Sequence, residues 1–201
     1  MKKLVCLATA TGMFFAFATV GSASKNNSHG NHSKYAGQEN RTIKSLSPDD
    51  IVELKRGGGW GLAKAAELNG VPGPAHLLEL KDAIPLNEEQ VSEIEEIYRS
   101  MKSDAIREGE RLIALERTLE THFRSGAISP GILQNALADI SASRMKLRYI
   151  HLSTHLRTPQ ILSKAQIDRY NTLRGYDKTN PCDSVPAGHD PELWRKHNGC
   201  N

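Results

Sequence analysis

Residues 86–124 read LNEEQVSEIEEIYRSMKSDAIREGERLIALERTLETHFR, and the spacing of their apolar side chains decides the fold. Val91, Ile94, Tyr98, Met101, Ala105, Leu112, Leu115, Leu119 and Phe123 recur mostly at alternating threes and fours, with Glu108 on the one beat that lacks an apolar residue. That period predicts an amphipathic helix of coiled-coil type. Asn87 and Gln90 stand as a variant capping box, in which Asn87 accepts a first-turn N–H and Gln90 reaches back to the cap backbone. From Asn87 to Arg124 such a helix is about 55 Å long. Ser125-Gly126-Ala127 makes a turn, and Ser129-Pro130 supplies a cap and a first-turn proline for a second long helix. This one runs to about Thr158, before Pro159, through Leu133, Ala136, Leu137, Ile140, Leu147, Ile150 and Leu152. The expected architecture is all-α: a long antiparallel helical hairpin with short flanking helices. Residues 87–124 hold ten acids and six bases, whereas residues 130–158 hold one acid and four bases. The facing arms are therefore complementary in charge, although each exposed pair contributes little.

On the N-terminal side, Ser47-Pro48-Asp49-Asp50 opens a short helix that stops at Gly57-Gly58-Gly59. A second short helix is expected from about Leu62 to Leu68, and a third from about Ala75 to Ala83 after the turn Val71-Pro72-Gly73-Pro74. Gly57-Gly58-Gly59-Trp60-Gly61 lacks the preceding strand and the closing Lys-Ser/Thr of a phosphate-binding loop. It reads as a joint with Trp60 as a packing peg. On the C-terminal side, Ser163-Lys164-Ala165-Gln166 is a second capping box. Its helix carries Ile167, Tyr170 and Leu173 and stops at Gly175. Residues 46–176 make up the expected helical domain, with a polar tail over 177–201.

The 201-residue chain is 38% hydrophobic and 5% aromatic, and three of its four Phe (Phe14, Phe15, Phe17) fall in the first 20 residues. That disfavours an all-β sandwich or a large α/β enzyme. Lys2 and Lys3, the apolar run Leu4–Val20 and the small residues Gly21-Ser22-Ala23 have the pattern of a secretory signal peptide over residues 1–23. The mature chain is then expected in the periplasm, without membrane insertion. Removing the leader's two lysines takes the net charge from +3 to +1, which argues against a nucleic-acid partner. It also leaves one cysteine pair, Cys182 and Cys200. In an exported chain the pair most simply forms a disulfide tethering the tail; a metal-binding thiol pair is the alternative. Residues 24–45 show no apolar period and read as a disordered linker, with His29 and His32 solvated.

Both capping boxes follow a leucine: Leu86-Asn87-Glu88-Glu89-Gln90 and Leu162-Ser163-Lys164-Ala165-Gln166. Over roughly residues 75–176 the chain here resembles the Spy/CpxP family of periplasmic chaperone and heavy-metal-resistance proteins, which carry two Leu-Thr-x-x-Gln motifs on a bent helical hairpin. Asn87 and Ser163 replace the motif's threonine, and both can cap a helix. The resemblance implies a cradle-shaped homodimer. In the chaperone branch it implies ATP-independent binding of unfolded periplasmic clients on the concave face. In the sensor branch it implies transition-metal binding by His and carboxylate ligands, with a membrane-bound sensor as partner.

His151 and His155 sit four residues apart on the second long helix, so both imidazoles share one face and can hold Zn²⁺, Ni²⁺ or Cu²⁺. The sequence His-Leu-Ser-Thr-His lacks the glutamate of a zinc protease. Folding the hairpin about Ala127 brings residue 151 level with residue 103, which makes Asp104 the candidate third ligand. Two partly buried histidines bonded across the hairpin are the alternative. His122 and His76, beside Glu79, are weaker candidates, and His189 and His197 lie in the tail with no local role expected. No cofactor is required. Arg144, Met145, Arg148 and Tyr149 are the candidate client-binding residues. No nucleophile–base constellation, serine elbow or catalytic cysteine setting is present, so an enzyme is not expected.

Overall fold

A computed structural model describes residues 33–176, 181–183, 185–186 and 188–200. The proposed signal peptide, His29 and His32 lie outside the described residues. The chain divides into two units, Met1–Ala36 and Gly37–Asn201. The described part of the first, residues 33–36, is a turn closed by the Ala36 N–H on the Ser33 carbonyl at 2.9 Å.

The second unit is all-α among its described residues: α1 (Pro48–Lys55), α2 (Lys64–Glu67), α3 (Pro74–Glu79), α4 (Glu88–Ser125), α5 (Pro130–Arg157), a 3-10 turn (Thr158–Gln160), α6 (Lys164–Arg174) and α7 (Pro191–His197). Helices α4 and α5 form the expected hairpin. Asn87 and Gln90 make the reciprocal capping box at 2.8 and 3.0 Å, and Gly126 ends α4 with a left-handed φ of 68°. Ser129 caps α5. Near Pro159 the chain tightens into the 3-10 turn before Ser163 and Gln166 form the second box and start α6. The described residues contain no helix long and apolar enough to cross a membrane.

The hairpin seam is part apolar and part ionic. Ala105, Leu112, Ile113, Ile140 and Leu147 form one cluster, which Leu54 of α1 joins. The gap in the apolar period is filled by a buried carboxylate: Glu108 accepts from Ser143 Oγ at 2.7 Å and faces Lys146 Nζ at 3.0 Å. Two turns further on, buried Glu116 takes Arg144 at 2.6 Å and Ser45 Oγ at 2.7 Å. Burial pushes the Glu108 carboxyl up, but the Ser143 and Lys146 hydrogen bonds and the Lys146 and Arg111 charges outweigh it and hold it below its ordinary value.

The expected disordered linker over 24–45 is corrected for its described C-terminal part. Ile43 and Leu46 are each 1% exposed and sit in the same cluster as Leu112 and Leu147, while Lys44 pairs with Glu120 at 2.7 Å. Two apolar residues three apart in a polar stretch are too few to establish a period, yet enough to anchor a strap across α4. Helix α1 crosses α4 at Gly109, where an added Cβ would stand 2.5 Å from the Leu54 carbonyl oxygen. Gly57 (φ 67°) and Gly58 close α1 by donating to the carbonyls of Leu54 and Glu53. This is a Schellman arrangement that leaves neither amide for a phosphate. Trp60 is the peg: its indole N–H donates to Asp50 at 2.8 Å and Arg144 lies over its ring at 5.2 Å.

The seam carboxylate gives a first prediction. Glu108→Ala strands the Ser143 hydroxyl and is expected to cost about 1–3 kcal/mol in urea unfolding. Glu108→Leu is expected to cost less, because an apolar side chain of similar size replaces the ion. The carboxyl's folded pKa is depressed, so its contribution is complete above the ordinary carboxylate range and is lost as pH falls through the folded value. The difference between wild type and Glu108→Leu should therefore narrow below about pH 4. A Glu108→Leu variant that loses no stability at neutral pH would remove the network from the account.

Candidate functional site

Two features of α5 stand out, one on each face. Facing inward, His151 and His155 line a cavity of about 1050 Å³ walled by the Gly57–Gly61 joint, the α2–α3 region, Met101, Arg174, and Trp194 and His197 of α7. Both histidines are buried. His155 Nδ1 lies 2.8 Å from the Val71 carbonyl oxygen. A carbonyl only accepts, so Nδ1 carries a proton, and Nε2 is the nitrogen that offers a lone pair in the corresponding neutral tautomer. That edge of the ring faces Gly73, where a Cβ would stand 2.6 Å from Nε2. Buried Pro72 and Pro74 flank this glycine and fix the approach. His151 is 4% exposed, and its Nε2 is buried without a hydrogen-bond partner. Burial, then the neighbouring His155, holds its pKa below the ordinary histidine value against a smaller opposing effect of Glu53. His151 is therefore neutral at pH 7.

At the cavity edge His76 Nδ1 lies 2.8 Å from Glu79, and its Nε2 is 3.8 Å from Glu67. Glu67 also accepts from the fully buried Tyr170 hydroxyl at 2.8 Å. Burial and this carboxylate keep the phenol protonated. These contacts tie α2, α3 and α6 together around the cavity.

Asp104 is not brought to the histidines: its carboxylate pairs with Arg107, one turn along the same helix, and it does not line the cavity. The register arithmetic is sound, since Thr154 meets Met101 and Ser143 meets Glu108. Register fixes the level along the helix and not the rotation about it. Among the described residues no three His, Cys, Asp or Glu side chains gather into a metal-holding group. His122 holds the hairpin tip, 3.1 Å from the Ala127 carbonyl. As expected, Cys182 and Cys200 form a disulfide; the loop it closes holds a helix that was not expected, α7, capped by Asp190. His189 stacks edge-on with Trp194 at 5.0 Å, and His197 reaches the cavity. Asp190-Pro191-Glu192 is a helix-start signature from which α7 was legible.

Facing outward, Ala138, Ala142, Met145, Tyr149, Leu152 and Leu156 repeat at alternating fours and threes along α5. Met145, Tyr149 and Leu156 are 65%, 67% and 71% exposed. Arg148 and Arg157 flank this row and are exposed. Arg144, expected among the client-binding residues, is instead committed to Glu116 and Trp60. Leu137, expected in the seam, is exposed. Comparison of the chain with protein-family models, curated proteins and solved structures gives no match.

The buried neutral imidazole carries a pH prediction. His151 has a depressed folded pKa, so the fold is fully stable above the unfolded-state value, about 6.5, and loses stability as pH falls through the folded one. Thermal unfolding between pH 8 and 5 is expected to show wild type falling more steeply than His151→Leu, by at most about 1.4 kcal/mol per pH unit. Parallel curves would count against a buried neutral His151.

Proposed function

We propose that this chain is an exported, ATP-independent chaperone-like protein of Spy/CpxP type, which binds apolar segments of non-native polypeptides on the outer face of α5. The observation behind this reading is the solvent-facing row Met145–Tyr149–Leu156 and its small neighbours. A helix buried on one side only has no structural need for a second row at coiled-coil spacing. Arg148 and Arg157 give the row a basic border suited to clients with acidic flanks. The surface is open and aromatic-poor, suited to weak binding of many sequences. A second copy of the chain is the competing occupant, and the family resemblance makes a homodimer part of this reading. The mature protein is expected to suppress aggregation of an unfolded client at stoichiometric amounts. Met145→Glu/Tyr149→Glu should lose most of that effect with an unchanged melting temperature, since both residues are exposed. Full activity in the double variant sinks the assignment of this face, and an inactive wild type sinks the chaperone reading.

A second reading, a periplasmic metal-binding protein, is favoured by one specific observation: the unpartnered, buried Nε2 of His151 beside His155. Isothermal titration with Zn²⁺, Ni²⁺ and Cu²⁺ should give heats that vanish in His151→Ala/His155→Ala. Identical heats in both proteins exclude this pair as the site.

A further inference from the structure

Resting on the metal-binding reading, we propose that the pair belongs to a monovalent copper site, with the thioether of Met101 taking the place expected of a carboxylate. Met101 lies across the seam from the histidines and lines the same cavity. Its Sδ is 3.7 Å from Thr154 Oγ1, on the residue just before His155. That hydroxyl is held by the His151 carbonyl at 2.7 Å, so one turn of α5 carries both imidazoles and the group against the sulfur. The orphaned Nε2 of His151 and the lone pair on Nε2 of His155 are the two nitrogen donors. Gly73 packs against the ring edge that carries the latter, where a Cβ would stand 2.6 Å from Nε2 and displace it.

The donor set selects the ion. Two imidazoles and a thioether carry no negative charge, and the acids that line the cavity are engaged elsewhere: Glu53 with Arg56, Glu67 with Tyr170 and Arg174, and Glu79 with His76. A divalent ion buried among uncharged ligands would keep most of its desolvation cost. A monovalent ion carries a much smaller one, and thioether sulfur is a soft donor that favours Cu(I). Zn²⁺ and Ni²⁺, which gain from thiolate or carboxylate charge, should bind this set more weakly.

The experiment is competition between the full mature chain and the Cu(I) chelator bicinchoninate, kept reduced with ascorbate under anaerobic conditions, alongside Zn²⁺ and Ni²⁺ titrations. Wild type is expected to take one Cu(I) more tightly than either divalent ion. Met101→Leu should weaken Cu(I) at least tenfold while changing Zn²⁺ and Ni²⁺ less than twofold, and Gly73→Ala should weaken all three. Copper-edge X-ray absorption of loaded wild type, which needs no variant to fold, should show a sulfur neighbour beside two imidazole nitrogens. Cu(I) binding that His151→Ala/His155→Ala abolishes, with Met101→Leu unchanged or a nitrogen–oxygen shell alone, overturns the thioether assignment and leaves the histidine reading standing. Failure of all three metals to bind overturns both.

Discussion

The hairpin is closed at its open end by two glutamine side chains, and the positions of the surrounding helices follow from that contact. Gln90 and Gln166 exchange amide hydrogen bonds at 3.0 and 2.9 Å. Each donates its other N–H across the junction, Gln90 to the Ile161 carbonyl and Gln166 to that of Pro85, both at 2.8 Å. Each carbonyl oxygen also accepts the backbone N–H of its own cap residue, Asn87 or Ser163. Both amides are thereby saturated, two donors and two lone pairs apiece. A half-satisfied version of the same pair would cost more than it contributes. The arrangement sets the first turn of α4 beside the first turn of α6. Two positive helix ends then lie together, a repulsion that Glu88 and Glu89 in the first turn of α4 offset. Leu86 and Leu162, the residues before each cap, pack with Leu77, Ile84, Ile94 and Tyr170 in the cluster below.

The rest of the hairpin is held differently. Its seam buries carboxylates at Glu108 and Glu116 where a coiled coil would place leucine, and their partners reach in from α5 and from the Ser45 strap. Buried ions contribute little net stability once desolvation is counted, but a carboxylate displaced from its partners is heavily penalised. Register is thus specified more sharply than by an apolar seam of the same length. One apolar cluster interleaves with these carboxylates along the seam, and the other lies beyond them toward the first turn of α4. Such a seam needs few aromatic residues, in keeping with the single Phe beyond residue 20.

Most of the helical framework was legible in the sequence because it is written in local chemistry. Caps at Ser47, Asn87, Ser129 and Ser163, and stops at Gly57, Gly126 and Gly175, act through their own side chains or their own φ. The hairpin register followed from turn position alone. Misplaced features depend on rotation or on distant packing. Asp104 sits at the expected level but turns toward Arg107, and Leu137 lies outside the seam that its neighbour Ala136 approaches. Ile43 and Leu46 are buried with α4 residues, Ala105, Leu112 and Ile113, that lie far along the chain, which no local period can announce. The meeting of the two glutamines is similarly non-local, although the repeated box marked both residues.

The cavity itself follows from residues chosen for their lack of side chain. Gly57, Gly73 and Gly109 each bring backbone into contact with a neighbour that a Cβ would push away: the Lys102 carbonyl, the His155 ring and the Leu54 carbonyl. Two of these contacts draw α1 and the joint after it onto α4, and the third lays the Val71–Pro74 turn on α5. Between those attachments the chain bridges the hairpin without filling it, so the inner face of α5 keeps polar groups at His151 and His155 rather than leucines. Its outer face carries the apolar row that such a helix would normally turn inward. Over its second half the long helix thus carries an apolar row toward water and two imidazoles toward the enclosed side, an arrangement that stability alone does not require and that accords with the binding proposed for each face.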